Sequence, residues 1–286
     1  MAQALKLVLV CIIVYGCSCK TNSPLKETAT LNLDEVSGLE YVNGTLWALQ
    51  DSGNKNKLYQ LDPKTGEHKS FTIKNSKNND WESLASDAEG NLYIGDFGNN
   101  DNDRKDLVIY KVNSGKPERV EYTIHFSYPE QTEFPPKKSK RVYDCEAFFE
   151  YQGYFYLFSK NRSIKGDGSV NLYKLQNKRG SQKAQLMGSF ITCNNNYRKC
   201  AIAGADISPD GKTVALISGD KVWLITNFKG DDFPHGTLTP YEIGELTQKE
   251  GICFIDNDNI YIADEREKNI GGKLYTLKIN DLKTNN

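Results

Sequence analysis

A fivefold internal repeat is the feature that most constrains how this chain of 286 residues can fold. Each unit begins with a carboxylate, continues through small and apolar residues into a short strand, and reaches a turn. A second apolar strand and a third strand with a central aromatic residue follow, and weaker fourth strands come after them. The leading carboxylates of the units are Glu35, Glu82, Glu146, Asp206 and Glu250. Four antiparallel strands per unit, repeated around a ring, predict an all-β fold, the β-propeller.

The number of repeats predicts five blades. The residues after Glu250 suffice for only three strands, so the last blade needs an outer strand from elsewhere. We expect the segment from Thr28 to Leu33 to supply it, which pairs the two ends of the chain and leaves no open sheet edge. Six blades, one of them degenerate, are the alternative.

The N-terminal residues predict export rather than a part of the fold. After Lys6, an apolar run from Leu7 to Tyr15 is too short to span a bilayer. The run ends at Gly16-Cys17, which resembles the lipobox of bacterial lipoproteins, and a plain signal peptide is the alternative. We therefore expect residues 1–16 to be a lipoprotein signal peptide, Cys17 the lipidated residue, 17–26 a tether and 27–286 one propeller domain.

These expectations place the protein in the bacterial cell envelope, anchored to a membrane on the periplasmic side or at the cell surface. An exported chain meets an oxidising compartment, where disulfides form. Cys193 and Cys200 flank a short polar loop and could close a small disulfide hairpin. Cys145 and Cys253 lie within apolar strand patterns, which predicts buried thiols.

The longer predicted loops cluster on one face of the propeller, and the leading carboxylates lie at the same face. We expect all five to point toward the central axis, where like charges cannot all persist unaided. Calcium accepts six to eight oxygen ligands with loose geometry and would suit such a ring. The predicted metal ligands are Glu35, Glu82, Glu146, Asp206 and Glu250. Alternatively, some of these carboxylates accept hydrogen bonds from the backbone of neighbouring blades and only fix the ring.

The ends of the second strands carry further polar residues near the predicted ring. Their carboxylate and amide oxygens could contact a metal or the hydroxyls of a ligand, or could simply cap tight turns. These residues are Asp51, Asp96, Asn99, Asp264 and Glu265. Two cationic residues, Lys160 and Arg266, would lie beside the acidic ring and could hold a phosphate or carboxylate. If the protein is an enzyme, the catalytic candidates are Glu82, Glu146, Lys160 and Arg266.

Other features exclude several classes of function. The chain has 36 basic and 37 acidic residues, so its overall charge gives no case for nucleic-acid binding. None of the histidines, His68, His125 and His235, is predicted at the carboxylate face, which argues against a His-based lactonase or a Ser-His-Asp hydrolase. No phosphate-binding or dinucleotide glycine motif is present. We expect a monomer.

Several of the repeated motifs resemble a family of exported bacterial propellers that includes the SdiA-regulated proteins and, more distantly, phytase-like esterase propellers. The motifs are Glu35-Val36-Ser37-Gly38-Leu39, Asp80-Trp81-Glu82-Ser83-Leu84, Gly95-Asp96-Phe97-Gly98-Asn99-Asn100, Asp144-Cys145-Glu146-Ala147 and Ala263-Asp264-Glu265-Arg266. The resemblance implies a β-propeller, often with calcium, at an exported or membrane-attached location. It also implies that Glu35, Glu82, Glu146 and Glu250 correspond to the central glutamates of calcium-dependent propeller hydrolases, which commonly have six blades.

Two functions are consistent with these observations. In the first, a lipid-anchored, calcium-binding propeller binds a small molecule, a glycan or a protein at the mouth of its central channel. In the second, a metal-dependent hydrolase cleaves a phosphoester, lactone or glycan at the same mouth, with Glu82 or Glu146 as base and Lys160 or Arg266 holding an anion.

Overall fold

The structure, a computed structural model, describes residues 23–164, 166–192, 196–268 and 270–283. Its main strands form five blades of four antiparallel strands each, in the order expected for a propeller, and the sheet of one blade gains a fifth strand that pairs in parallel. The first strand of each blade contacts the first strand of the next, and the series closes into a ring. The predicted five-bladed β-propeller is therefore confirmed, and the six-bladed alternative is wrong.

The strands of the first two blades follow the N-terminal strand β1 (Lys26–Thr30). Blade one contains β2 (Val36–Val42), β3 (Thr45–Gln50), β4 (Lys57–Leu61) and β5 (His68–Thr72). Blade two contains β6 (Trp81–Ser86), β7 (Asn91–Asp96), β8 (Val108–Asn113) and β9 (Lys116–Ser127).

The remaining strands complete three further blades. Blade three contains β10 (Asp144–Tyr151), β11 (Tyr154–Lys160), β12 (Ser169–Gln176) and β14 (Gln185–Ile191). Between the last two, β13 (Gly180–Lys183) pairs in parallel with the outer strand of blade two. Blade four contains β15 (Gly204–Ile207), β16 (Val214–Ile217), β17 (Lys221–Thr226) and β18 (Thr237–Glu242). Blade five contains β19 (Lys249–Phe254), β20 (Asn259–Asp264) and β23 (Lys273–Lys278). A small hairpin in this blade is formed by β21 (Arg266–Glu267) and β22 (Ile270–Gly271).

Helical structure is limited to short segments among the described residues. They are α1 (Tyr197–Cys200) and single 3-10 turns at Lys138–Lys140, Phe233–His235 and Ile279–Asp281. None of the helices in the described part of the chain has the length and apolar content needed to cross a membrane.

The hydrophobic core is divided among the spaces between blades. Five clusters of buried apolar side chains each join two neighbouring blades. Between blades two and three, for example, Phe97 packs edge-on against Phe148 with 5.0 Å between ring centroids. Each blade buries both of its faces, which explains why the second strands read as continuous apolar runs rather than as an alternating pattern.

The ring closes through the N-terminal strand. β1 pairs antiparallel with β23 and becomes the outer strand of blade five, with Lys26 opposite Thr276 and Thr30 opposite Lys273. This strand begins two residues before the predicted segment, and the buried Leu31 and Leu33 follow it. Both ends of the described propeller are thereby fixed in one sheet, which removes an exposed edge.

A β-bulge interrupts the first strand of four blades at the same place. The register with the second strand shifts around Ser37, Glu82, Glu146 and Glu250. In blade four the corresponding position is Ala203, whose backbone N–H donates to the carbonyl of Ile217 just before β15 begins. Because a bulge re-aims the extra side chain, Glu82, Glu146 and Glu250 face one mouth of the central channel, as does Ala203. Ser37 instead donates to the carbonyl of Trp81 in blade two.

Candidate functional site

The three bulge glutamates meet in a cleft at one end of the channel, which we call the upper mouth. Glu82, Glu146 and Glu250 all line this cleft, whose volume is about 490 Å³. Glu82 and Glu146 are buried, with 4% and 2% of their surface exposed. The structure therefore brings three of the five predicted ring carboxylates together.

The other two predicted ring carboxylates lie elsewhere. Glu35 is exposed on the rim, where its Oε2 accepts a hydrogen bond from Asn54 Nδ2 at 2.6 Å. Asp206 lies near the opposite end of the channel, the lower mouth, in a cavity that Glu40 also lines. The expectation that all five converge at one mouth is wrong in this respect, because Asp206 lies three residues beyond the bulge position of its blade.

Glu146 is neutralised by two cationic side chains. Lys160 Nζ donates to Glu146 Oε2 at 3.0 Å, and Arg162 Nη2 donates to Glu146 Oε1 at 2.7 Å. Arg162 also forms an ion pair with the buried Asp144. Although burial disfavours its charge, Lys160 and Arg162 hold the pKa of Glu146 below its usual value. The predicted proximity of Lys160 and Glu146 is therefore observed.

Glu250 is paired with a second carboxyl group. A hydrogen bond links its side chain to Glu265, which also accepts from Gln248 Nε2. Burial and the charge of Glu265 raise the pKa of Glu250 well above its usual value. Burial also raises the pKa of Glu265 to about 7. The two carboxyl groups therefore titrate as a coupled pair, and burial favours the neutral form of Glu250.

Glu82 has no comparable partner. Among the described residues, none donates a hydrogen bond to its carboxylate or forms an ion pair with it. Instead, one carboxylate oxygen each from Asp51, Asp80 and Glu82 lies within 4.8 Å of the other two. Burial raises the pKa of Glu82 well above its usual value, and the charges of Glu146 and Asp51 add to the increase. Burial likewise raises the pKa of Asp51 to about 7 and raises that of Asp80 despite the nearby Arg104.

A glycine leaves space beside this carboxylate triad. A Cβ atom at Gly98 would lie 2.5 Å from the Asp80 carboxyl group and 2.6 Å from Glu82 Oε1. A side chain at this position would therefore force the carboxyl groups of Asp80 and Glu82 to move. The space is next to the oxygens that a cation would contact.

Strand register explains which of the other predicted residues reach the cleft. The backbone N–H of Asp51 donates to the carbonyl of Glu35, and that of Glu265 donates to the carbonyl of Gln248. The side chains of Asp51 and Glu265 both line the cleft. Lys160, opposite Asp144, occupies the same position in blade three. Side chains alternate along a strand, so the preceding residue in each blade points away from the cleft.

Three predicted polar residues accordingly serve the scaffold. Asp96 pairs with Arg104 at 3.0 Å and accepts from the backbone N–H of Asp80. The side chain of Asn99 holds the loop after β7, accepting from the N–H of Arg104 at 3.0 Å. Asp264 accepts from Lys273 N, Thr247 Oγ1 and Tyr275 Oη. Each of the three fixes local structure.

The remaining predicted residues lie outside the cleft or outside the described residues. Arg266 donates to the carbonyl of Leu31 and lies 3.7 Å from Asp34, so it contacts the segment after β1 instead of standing beside Lys160. Cys17 and Cys193 lie outside the described residues, and the disulfide and lipidation remain predictions. Cys200, the suggested partner of Cys193, is buried.

Sequence reasoning missed three residues that line the cleft or contact its carboxylates. Asp80 and Arg162 each lie two positions from a predicted residue, Glu82 and Lys160, and this spacing was the available signal for a shared face. Sequence reasoning also missed Lys249, which is 2% exposed. Its Nζ donates to two carbonyl oxygens and to Thr247 Oγ1. Burial lowers the pKa of Lys249.

Comparison with known proteins identifies the architecture. No family model matches the chain, and no curated protein matches it in sequence. The PQQ-bound aldose sugar dehydrogenase of Streptomyces coelicolor superposes with a TM-score of 0.52 and 11% identity, covering 88% of this chain and 96% of that chain. The chain is a β-propeller protein. A gluconolactonase-like protein superposes with a TM-score of 0.48 and 13% identity, covering 90% of this chain and 92% of that chain. At such identities the likeness shows the fold alone.

Proposed function

We propose that this protein is an exported, lipid-anchored propeller that binds its ligand in the upper-mouth cleft around a calcium ion. The ion would be held by Asp51, Asp80 and Glu82. The observation that carries the proposal is Glu82, a buried carboxylate that lines the cleft and has no hydrogen-bond or ion-pair partner among the described residues. A buried charge without a partner is costly, and a bound cation would remove that cost.

The donor set suits calcium. Oxygens bound to one calcium ion lie 2.3–2.6 Å from it, so they can be up to roughly 5 Å apart. The 4.8 Å limit that encloses the oxygens of Asp51, Asp80 and Glu82 falls within this range. Three carboxylates leave part of the usual six to eight positions to other oxygens. A ligand with oxygen donors could therefore complete the coordination.

The three bulge glutamates differ in how their charge is balanced, and the difference favours a single cation site. Lys160 and Arg162 balance Glu146, and Glu250 has a hydrogen-bond partner in the carboxyl group of Glu265. Only Glu82 of these three lacks such a group among the described residues. The motif resemblance to SdiA-regulated propellers, which often bind calcium, supports the same assignment.

Calorimetric titration with calcium tests the proposal. We expect one site in the mature protein, and we expect Glu82→Gln or Asp51→Asn to weaken binding at least tenfold. Glu40→Gln is the matched control, because Glu40 is also buried but lies at the lower mouth. Absence of calcium binding, or equal losses in all three variants, would refute the proposed site.

The anchor is tested separately in cells. Cys17→Ser should leave the precursor without lipid and move the protein from the membrane fraction to the soluble fraction. Retention at the membrane, or a mature N-terminus far from Cys17, would show that the lipoprotein interpretation is wrong. This outcome would not affect the cation site.

One observation favours a second candidate, a metal-dependent hydrolase of a phosphoester, lactone or glycan. In the cleft, Lys160 and Arg162 hold the pKa of Glu146 below its usual value while burial raises the pKa of Glu250, and such divergent pKa values are typical of acid and base pairs. In that reaction Glu146 would accept a proton and Glu250 would donate one, while the metal would polarise the scissile group. A substrate panel assayed with and without chelator tests it, and loss of turnover in Glu146→Gln is expected.

A further inference from the structure

The upper-mouth cleft has an apolar side that the cation site does not use. Leu246 and Ile270 line it with 43% and 65% of their surface exposed. Only five large apolar side chains are this exposed among the described residues, and two of them lie in this one cleft. Large apolar groups in a concave site commonly mark where a ligand binds.

The repeat explains why this side is apolar. Blade four has Ala203 at the bulge position where blades two, three and five have glutamate. Ala203 and Ala201 line the cleft there, and Leu246 follows in the segment between blades four and five. Ile270 projects from the small hairpin of blade five. The absence of a fourth glutamate thus gives the cleft one apolar wall.

We propose that the ligand of this cleft is amphipathic, with an oxyanion head that contacts the cation and an apolar group that lies against Leu246 and Ile270. The proposal rests on the proposed function, because it assigns the head to the cation held by Asp51, Asp80 and Glu82. Lys160 and Arg162 also line the polar side of the cleft, where they pair with Glu146. A purely polar ligand would leave the apolar wall in contact with water.

A matched pair of probes tests this proposal. The calcium-loaded protein is titrated calorimetrically with methyl phosphate and with hexyl phosphate, which share a head and differ in apolar length. Each buried methylene strengthens binding by about fourfold. We expect hexyl phosphate to bind at least tenfold more tightly than methyl phosphate. Equal affinities, or no binding of either probe, would overturn the proposal.

Two variants locate the apolar contact. Leu246→Asn and Ile270→Asn should each reduce the preference for hexyl phosphate by at least threefold and leave calcium affinity unchanged. The controls are Leu186→Asn and Ile191→Asn, because these side chains are 43% and 58% exposed but lie on the outer strand of blade three. A preference that falls equally in variants and controls would show non-specific adsorption and would overturn the proposal.

The calcium titration separates the two proposals. If calcium binds and the two phosphates bind equally, the ligand assignment fails while the cation site stands. If calcium does not bind, the proposed function fails, and the head-group assignment fails with it. The unfolding midpoint in urea of each of the four variants verifies that it is folded.

Discussion

Both mouths of the channel contain buried carboxylates, but the hydrogen-bond partners of these carboxylates differ. At the lower mouth, Asp206 Oδ2 accepts from the backbone N–H of Phe254 in blade five at 2.7 Å. Glu40 Oε1 accepts from Ser86 Oγ in blade two at 3.1 Å. These buried carboxylates therefore join neighbouring blades, as the structural alternative predicts for part of the ring.

At the upper mouth, the partners of the carboxylates are cations, another carboxyl group or, for Glu82, no described residue. Burial raises the pKa of Asp206 to about 7 and that of Asp51 to the same value. A raised pKa is therefore common to both mouths and does not distinguish them. The distinction lies in the hydrogen bonds: a carboxylate that joins two blades is structural, and one without partners is available to a ligand.

Removal of a lower-mouth carboxylate should lower stability more than removal of an upper-mouth carboxylate. Asp206→Ala leaves the backbone N–H groups of Ile207 and Phe254 without their acceptors. We expect the free energy of unfolding to fall by about 2 kcal/mol, since each buried unsatisfied donor costs about 1–3 kcal/mol. Glu82→Ala should not lower it in calcium-free protein. Urea unfolding measures both, and equal losses would contradict the comparison.

Chelation should affect only the upper mouth. At a calcium concentration of about 100 times the dissociation constant, binding raises the free energy of unfolding by about 2.7 kcal/mol. Chelator should therefore lower the melting temperature of calcium-loaded protein. A tenfold loss of affinity in Glu82→Gln should reduce this response to about half, and Asp206→Asn should retain it in full. A melt unaffected by chelator would remove the calcium assignment.

The sequence was sufficient to predict the architecture because each blade repeats its own strand signals. The strand patterns, the five units and the closing N-terminal strand all depend on local hydrophobic periodicity, which is visible in each segment of the sequence. The closing strand was placed two residues late, since Leu31 and Leu33 are apolar but follow the strand rather than belong to it.

The site was less predictable because it depends on register. Asp51 and Asp96 occur in similar motifs, yet Asp51 faces the cleft and Asp96 pairs with Arg104. A shift of one residue along a strand moves a side chain to the opposite face. The bulge that aims Glu82 into the cleft adds such a shift, and no residue type in the sequence marks it.

Calcium affinity should depend on pH through the upper-mouth acids. With the pKa of Asp51 raised to about 7, calcium must displace a proton below that pH, so affinity should rise about tenfold from pH 6 to pH 8. In calcium-free protein the folded state holds these protons more tightly than the unfolded chain. The free energy of unfolding therefore falls as pH rises from about 4 to about 7.

Calcium should remove only the part of this fall in the free energy of unfolding that comes from the upper-mouth carboxylates. The part from Asp206 at the lower mouth, whose pKa is also raised to about 7, should remain. Urea unfolding at several pH values, with and without calcium, measures both parts. A calcium affinity that is constant from pH 6 to pH 8 would show that Asp51 is not a ligand.

The smallest predicted effect concerns the space beside the triad. Gly98→Ala would place a methyl group within 2.6 Å of Asp80 and Glu82 carboxyl atoms, so both side chains must move. Overpacking at its mildest costs about 1 kcal/mol, which corresponds to about a fivefold loss of calcium affinity. Gly115→Ala is the matched control, because the Cβ there would meet only Asn113 Oδ1, at 3.2 Å. Because Gly115 lies in the β8–β9 turn rather than in the cleft, its variant should bind calcium as the wild type does. If Gly98→Ala also bound calcium with unchanged affinity, the ion would have to lie away from Asp80 and Glu82, and the cleft would need another explanation for its unpaired glutamate.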